Sequence, residues 1–382
     1  MSVTFAKGFM AGTVASGLKS SGKLDVTVVQ NTGPSDTAAA VFTSNRAKAN
    51  PILWSMEAIK DGAARAVVLN SGGANCYTGA AGFQIAHKSA ELVAEALSIS
   101  AQDVLVCSTG LIGVQLDTSK LYPGIESACG QLSSDGGADS AAAIMTTDSV
   151  PKLSSVESAE GWRIGGMAKG AGMLAPALAT MLVVITTDAV IKNADAHLRA
   201  ATAISFDRLD SDGCTSTNDT VILMSSGSSG VLADPIKFQE ALDQVCMDLA
   251  RQLMKDAEGA SHEIAIVVEG ASSEADALEV GRAIARNNLF KTAIYGNDPN
   301  WGRILAAIGT TGAKFDPYDI DVEINGVRVS TKGGPDQDRS RVDLSKREVV
   351  IRVGLNAGTS AATILTNDLT KEYVIENSEY SS

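Results

Sequence analysis

Short runs rich in valine and isoleucine, each closed off by Gly, Asn, Asp or Ser, recur along this chain and interleave with segments of helical periodicity. Such runs read as strands, because branched side chains suit a pleated surface and the bounding residues suit turns. They fall at 25–31, 38–43, 65–70, 103–107, 181–187, 219–225, 263–269, 320–330 and 347–354. Inside 320–330, Asn325-Gly326 separates two alternating segments and signals a two-residue hairpin, hence antiparallel pairing. Apolar residues at three- and four-residue intervals predict helices over 81–97, 136–145, 194–202, 235–257 and 273–286. This mixed order favours an α/β chain of the layered α+β kind over a doubly wound parallel sheet. The stretch 149–165 reads as polar and turn-rich, yet too short for a domain linker. No fixed-period repeat appears.

Composition narrows the function. The 382 residues carry a net charge of −13 and no Lys/Arg run, which argues against general nucleic-acid binding. No apolar stretch reaches membrane-spanning length, and the N-terminal residues lack a secretory apolar segment, so a cytoplasmic protein is expected. Aromatics make up only 4%, leaving Ala, Val, Ile and Leu to build the core. Cys76, Cys107, Cys129, Cys214 and Cys246 are scattered without a C-x-x-C pair, so neither disulfides nor a zinc site is indicated.

One run carries chemistry. From Lys169 to Asp188 a loop of glycines and small residues passes into an apolar strand, with Thr180 at the junction. If the Ala179–Thr180 bond breaks, Thr180 becomes an N-terminus bearing a nucleophilic hydroxyl and, with a pKa near ~8, its own amine base. Uncut, the same residues make only a tight turn into a core strand. Gly170-x-Gly172-x-x-Ala175 matches a dinucleotide fingerprint by letters, but it follows a turn-rich stretch and feeds a strand where that motif should open a helix. His87, His197 and His262 sit in or beside expected helices with no partner motif, which favours chemistry built without histidine. The carboxylates Asp207, Asp210, Asp212 and Asp219 lack calcium-loop spacing and suggest a hydrogen-bonded turn joining two strands. Ser108-Thr109-Gly110, at the end of a strand, can aim a hydroxyl and a backbone N–H at one point, as an oxyanion hole requires; an ordinary turn is the alternative.

Taken together, KGAGMLAPALATMLVVITTDA, NSGGANCYTG at 70–79, CSTGLIG at 107–113, AIMTTD at 143–148, DGCTSTND at 212–219, DAEGASH at 256–262, YGNDPNWGRI at 295–304 and the terminal ENSEYSS closely resemble the ornithine acetyltransferase family, the glutamate N-acetyltransferases of arginine biosynthesis. The likeness spans essentially the whole chain; Cys214 stands where relatives often have Asp. It implies a self-processing fold related to the autoprocessed aminopeptidases, cut between Ala179 and Thr180 into chains 1–179 and 180–382. It implies Thr180 as nucleophile, Thr109 and Gly110 as the oxyanion pair, and Thr146, Lys169, Thr180, Glu258, Asn377 and Ser382 as substrate contacts. The expected reaction moves acetyl from N-acetylornithine to glutamate by a ping-pong route, in an α2β2 heterotetramer. No cofactor is expected, although acetyl-CoA could serve as a second donor. An N-terminal-threonine amidohydrolase or aminopeptidase of related fold is the alternative.

Overall fold

A computed structural model of the protein describes residues 2–173 and 181–379. The chain divides into two compact units. The first contains residues 1–207 and 214–256. Its strands are β1 (Phe9–Val14), β2 (Val26–Asn31), β3 (Ala38–Phe42), β4 (Ala66–Asn70), β5 (Val104–Ser108), β6 (Lys152–Glu157), β7 (Arg163–Lys169), β8 (Leu182–Thr187) and β9 (Thr220–Ser225). Its helices are α1 (Asn50–Ala58), α2 (Gly79–Leu97), α3 (Thr118–Gly130), α4 (Gly137–Ala143), α5 (Ala194–Ile204) and α6 (Pro235–Lys255).

These strands form two sheets, β1-β2-β4-β5 and β3-β9-β8-β7-β6. Alternation along the strands explains why they stack. In β4 and β5, Ala66, Val68, Val104 and Val106 pack with Ile85, Val93, Leu121 and Ile125 of α2 and α3. The intervening Val67, Leu69, Leu105 and Cys107 join Met167, Leu182, Val184, Ile222 and Met224 of the second sheet. Both faces are thus buried, which is why these strands read as continuous apolar runs rather than polar–apolar alternation. On the far side of the second sheet, α6 lies against β6 and β7 and α5 against β3. The unit is a layered α/β arrangement of helix, sheet, sheet and helix.

The stretch 149–165, read from sequence as polar loop, instead supplies β6 and the start of β7, an antiparallel pair running from Lys152↔Ala168 to Glu157↔Arg163. The glycine loop therefore follows a strand. Gly165 and Gly166 disguise that strand, and packing requires the first of them: a Cβ on Gly165 would meet the Ser2 carbonyl oxygen at 2.1 Å.

The second unit spans 208–213 and 257–381. It holds β10 (Glu263–Ala271), β11 (Asp321–Ile324), β12 (Val327–Thr331), β13 (Gly334–Pro335), β14 (Glu348–Gly354) and β15 (Ser360–Asn367) in one sheet, ordered β13-β12-β11-β14-β10-β15. Helices α7 (Glu274–Ala285), α8 (Asn288–Tyr295) and α9 (Trp301–Ile308) contribute to its core, and α10 (Lys371–Glu379) follows β15. The expected hairpin turn is present: Asn325 and Gly326 join β11 to β12 with φ of 46° and 82°. No described helix is long and apolar enough to cross a membrane.

Candidate active site

Strand ends of the first unit gather the polar residues. β5 stops at Ser108, whose hydroxyl donates to Asn70 Oδ1 at 2.6 Å. The Thr109 amide then donates to the Asn70 carbonyl at 3.0 Å, and the Thr109 carbonyl accepts from Gly73 N at 3.0 Å. Asn218 braces both loops, its amide donating to the carbonyls of Ala74 and Ser108 at 2.7 Å each. Gly110 has φ of 131°, and a Cβ there would sit 2.5 Å from Gly73 N, so only glycine fits.

Lys169 ends β7 almost wholly buried, at 1% exposure. Its Nζ donates to Thr146 Oγ1 at 2.8 Å and to Thr109 Oγ1 at 3.2 Å. Residues 109, 146 and 169, distant in sequence, thus share one ammonium. Because the Thr109 oxygen accepts from Lys169, its own O–H remains able to donate. Among the described residues the Gly110 N–H meets no acceptor. A hydroxyl and an amide side by side, backed by a cation, suit a developing oxyanion.

Asp148 anchors this cluster and was not singled out from sequence. Its Oδ1 accepts from Gly170 N at 2.6 Å and from Lys152 Nζ at 2.5 Å. Its Oδ2 accepts from Thr146 N at 2.9 Å and lies 4.0 Å from Lys169 Nζ. Burial alone would push this carboxyl up, but Lys169, Lys152 and these hydrogen bonds outweigh it and hold the pKa down to about 2. Lys152 is itself completely buried and also pairs with Asp256 at 2.5 Å. Nearby Lys19 is driven down to about 8, chiefly by burial, while donating to the Leu24 and Ala143 carbonyls.

Asp219 was noted only as one of an aspartate cluster, and the structure divides that cluster. Asp210 lies in the second unit, paired with Arg286 at 2.8 Å and raised by burial to about 6. Asp219 lies in the first, fully buried, with Oδ1 accepting the Met181 amide at 3.1 Å. Burial raises its pKa well above the usual carboxylate range.

Glu258 and Asn377 both fall in the second unit, where Asn377 Nδ2 donates to Glu258 Oε2 at 3.0 Å. Gly259 lets α10 approach closely, since a Cβ there would lie 2.2 Å from Tyr373 N. Ala179, Thr180 and Ser382 lie outside the described residues. His87 stacks on Trp54 at 4.7 Å between ring centroids. His197 meets Gln239 at 2.6 Å, and His262 is buried between Asp368 and the Leu344 carbonyl. Each has a structural partner that the sequence did not reveal.

Comparison with known proteins agrees along the whole length. A family model described as "ArgJ family" matches residues 10–382. The chain is 59% identical over 384 residues to "Arginine biosynthesis bifunctional protein ArgJ" of Streptomyces coelicolor, with 100% of both chains covered. It is 58% identical to the protein of the same name from Thermobifida fusca, again with 100% of both chains covered. A solved ornithine acetyltransferase from Mycobacterium tuberculosis, in complex with ornithine, is 50% identical over 46% of this chain and 94% of its own, with a TM-score of 0.45. With a family model matched over residues 10–382 and 58–59% identity over the full length of the two curated relatives, the chain belongs to the ArgJ family.

Proposed function

We propose that the protein transfers an acetyl group from N-acetylornithine to glutamate, through an acetyl ester on Thr180, yielding ornithine and N-acetylglutamate for arginine biosynthesis. The observation that carries this reading is the buried Lys169 ammonium bound to both Thr109 and Thr146, next to Gly110, whose N–H meets no acceptor among the described residues. In the reading, the chain first cuts itself between Ala179 and Thr180, giving chains 1–179 and 180–382. The freed amine takes the Thr180 hydroxyl proton as the oxygen attacks the acetyl carbonyl. Thr109 O–H and Gly110 N–H stabilise the oxyanion; ornithine leaves with the proton, and glutamate attacks the ester in the reverse sense.

Both substrates carry an α-carboxylate, which suits Lys169 and Thr146, and ornithine adds an ammonium that suits Glu258. Asn377 and Ser382 complete the substrate contacts in this reading. No resident cofactor is needed. The relatives are named as bifunctional proteins, which supports acetyl-CoA as a second donor. None of the five cysteines is in a disulfide, in keeping with a cytoplasmic protein; in this reading the two chains assemble as an α2β2 heterotetramer. Family membership disfavours the amidohydrolase alternative, in which water replaces glutamate.

The test is acetyl transfer from N-acetylornithine to labelled glutamate, paired with intact-mass analysis. Two fragments, the second beginning Thr180-Met181-Leu182, and labelled N-acetylglutamate are expected. A single intact chain with full transferase activity would refute the covalent route, and release of free acetate alone would favour the hydrolase.

A further inference from the structure

Two substrates that share an α-carboxylate but end in opposite charges must use one site in turn, and Lys169 with Thr146 answers only to the part they share. A second ammonium lies beside that pair. Lys19 sits in the loop between β1 and β2, where its Nζ donates to the Leu24 carbonyl at 2.9 Å and the Ala143 carbonyl at 3.2 Å. Three residues beyond Ala143, the Thr146 hydroxyl accepts from Lys169 at 2.8 Å, so the short stretch 143–146 links the two cations. They are close enough for the Lys169 charge to act on Lys19. The same loop reaches the oxyanion side. A Cβ on Gly72 would meet the Leu18 carbonyl oxygen at 3.0 Å, and the next residue, Gly73, abuts Gly110.

The loop is held for this placement. Completely buried Asp25 accepts four hydrogen bonds from it: the Ser16 amide and hydroxyl donate to Oδ1 at 2.6 and 2.8 Å, and the Leu18 and Lys19 amides to Oδ2 at 2.7 and 3.1 Å. Capping α4 does not account for the ammonium, because the Ser71 hydroxyl already donates to the Ala143 carbonyl at 2.6 Å. An ammonium has three N–H donors, and the third of Lys19 meets no acceptor among the described residues. The residue is half-buried, so a ligand can reach it.

We propose that Lys19 is a specificity-determining residue of the transfer site, its third N–H binding the side-chain carboxylate of the acceptor glutamate while Lys169 and Thr146 hold the α-carboxylate. The inference rests on the acetyl-transfer reading above. Two ammonium groups set apart suit a dianion, whereas N-acetylornithine brings one carboxylate and a side-chain ammonium that a charged Lys19 repels. That charge is loosely held. Burial brings the Lys19 pKa down to about 8; Lys169 and Lys23 add to this, and Asp25 and Asp148 oppose it. Lys19 is therefore protonated for glutamate at neutral pH, yet gives its proton up to solvent readily when the ornithine ammonium occupies the site. One residue favours the acceptor without excluding the donor.

Lys19→Met keeps the stem and the backbone amide that Asp25 holds, but removes the charge. In a ping-pong reaction, kcat/KM for each substrate reports its own half. With N-acetylornithine as donor, kcat/KM for glutamate is expected to fall by about 10–100-fold, the effect of one charged hydrogen bond. The value for N-acetylornithine is expected to hold or rise, and Lys19→Arg to restore most of the loss. Glutamine, with an amide in place of the side-chain carboxylate, gives an independent check. The preference for glutamate over glutamine should shrink in K19M by the same factor, and a ratio within one protein does not depend on how much of it folds. Equal losses in both halves mark a structural role and overturn the proposal, as does an unchanged glutamate-to-glutamine preference. The unsubstituted protein serves as control: if it passes no acetyl from N-acetylornithine to glutamate, the acetyl-transfer reading itself fails, whereas transfer with unaltered acceptor preference in K19M removes only the role of Lys19.

Discussion

Replacing Asp148 with asparagine tests whether charge, rather than shape, holds the site together. The carboxyl lies about two pH units below its ordinary value of 3.8, because Lys169 and Lys152 outweigh its burial. At about 1.4 kcal/mol per unit, that difference amounts to about 2–3 kcal/mol of native stability. Breaking a buried ion pair by removing one partner typically costs about 3–5 kcal/mol. The lower figure should hold here, since Lys152 retains Asp256 at 2.5 Å. For a unit of this size, about 2–4 °C per kcal/mol translates into a melting temperature about 5–10 °C lower at pH 7. The sign of the pH dependence follows from a depressed carboxylate pKa. The stabilisation is complete above the unfolded value near 3.8 and disappears as pH falls through about 2. Calorimetry of both proteins from pH 7 downward should therefore show melting curves that converge in acid. Equal melting temperatures at pH 7, or a gap that persists unchanged to pH 2, would refute the reasoning.

Thr109→Ala removes the hydroxyl that Lys169 polarises, and kcat should fall by about 10²–10³-fold with little change in KM; a KM effect alone would assign Thr109 to binding. Glu258→Ala should raise KM for N-acetylornithine more than for glutamate, since only ornithine brings a side-chain ammonium; unchanged values for both would remove Glu258 from the site. Deleting residues 377–382, which takes Asn377 away from Glu258, should impair turnover while leaving fragment formation intact, and unaltered kinetics would show that the tail is dispensable.

Much of the fold was legible because most core strands are short and β-branched. The runs at 65–70 and 103–107 became β4 and β5 within a residue or two, and the Asn325-Gly326 turn fell where its dihedral preferences put it. What escaped was structure whose local sequence contradicts its packing. β7 contains Gly165-Gly166: the Ser2 carbonyl leaves no room for a side chain at 165, and at 166 a Cβ would press on Leu249 Cδ1 at 3.1 Å, so a buried strand looks like a turn. Helix α3 carries Pro123 and Gly124, both breakers in isolation; a Cβ on Gly124 would meet the Ser16 Cβ at 2.6 Å. The site was legible only in part for a different reason. Thr109, Thr146 and Lys169 meet through three separate strand and loop ends, which local periodicity cannot announce. Asp148 and Lys152 gain their importance from the buried ion pair they make, a pairing created by the fold.

The five-stranded sheet has a consequence for how the molecule could be assembled and taken apart. β3, β6 and β7 precede position 179, whereas β8 and β9 follow it, and β8 lies between β7 and β9. A cut at 179–180 would leave that hydrogen-bonded sheet in place while dividing its strands between two polypeptides. Folding would be unimolecular before the cut and bimolecular after it. Recovery of the processed protein from denaturant should then depend on its concentration, whereas uncut Thr180→Ala chains should refold at a rate independent of dilution. Processing would in this way write a history into the molecule: a covalent neighbour becomes a partner to be found again, and strand edges once sealed within one chain become exposed whenever the two part.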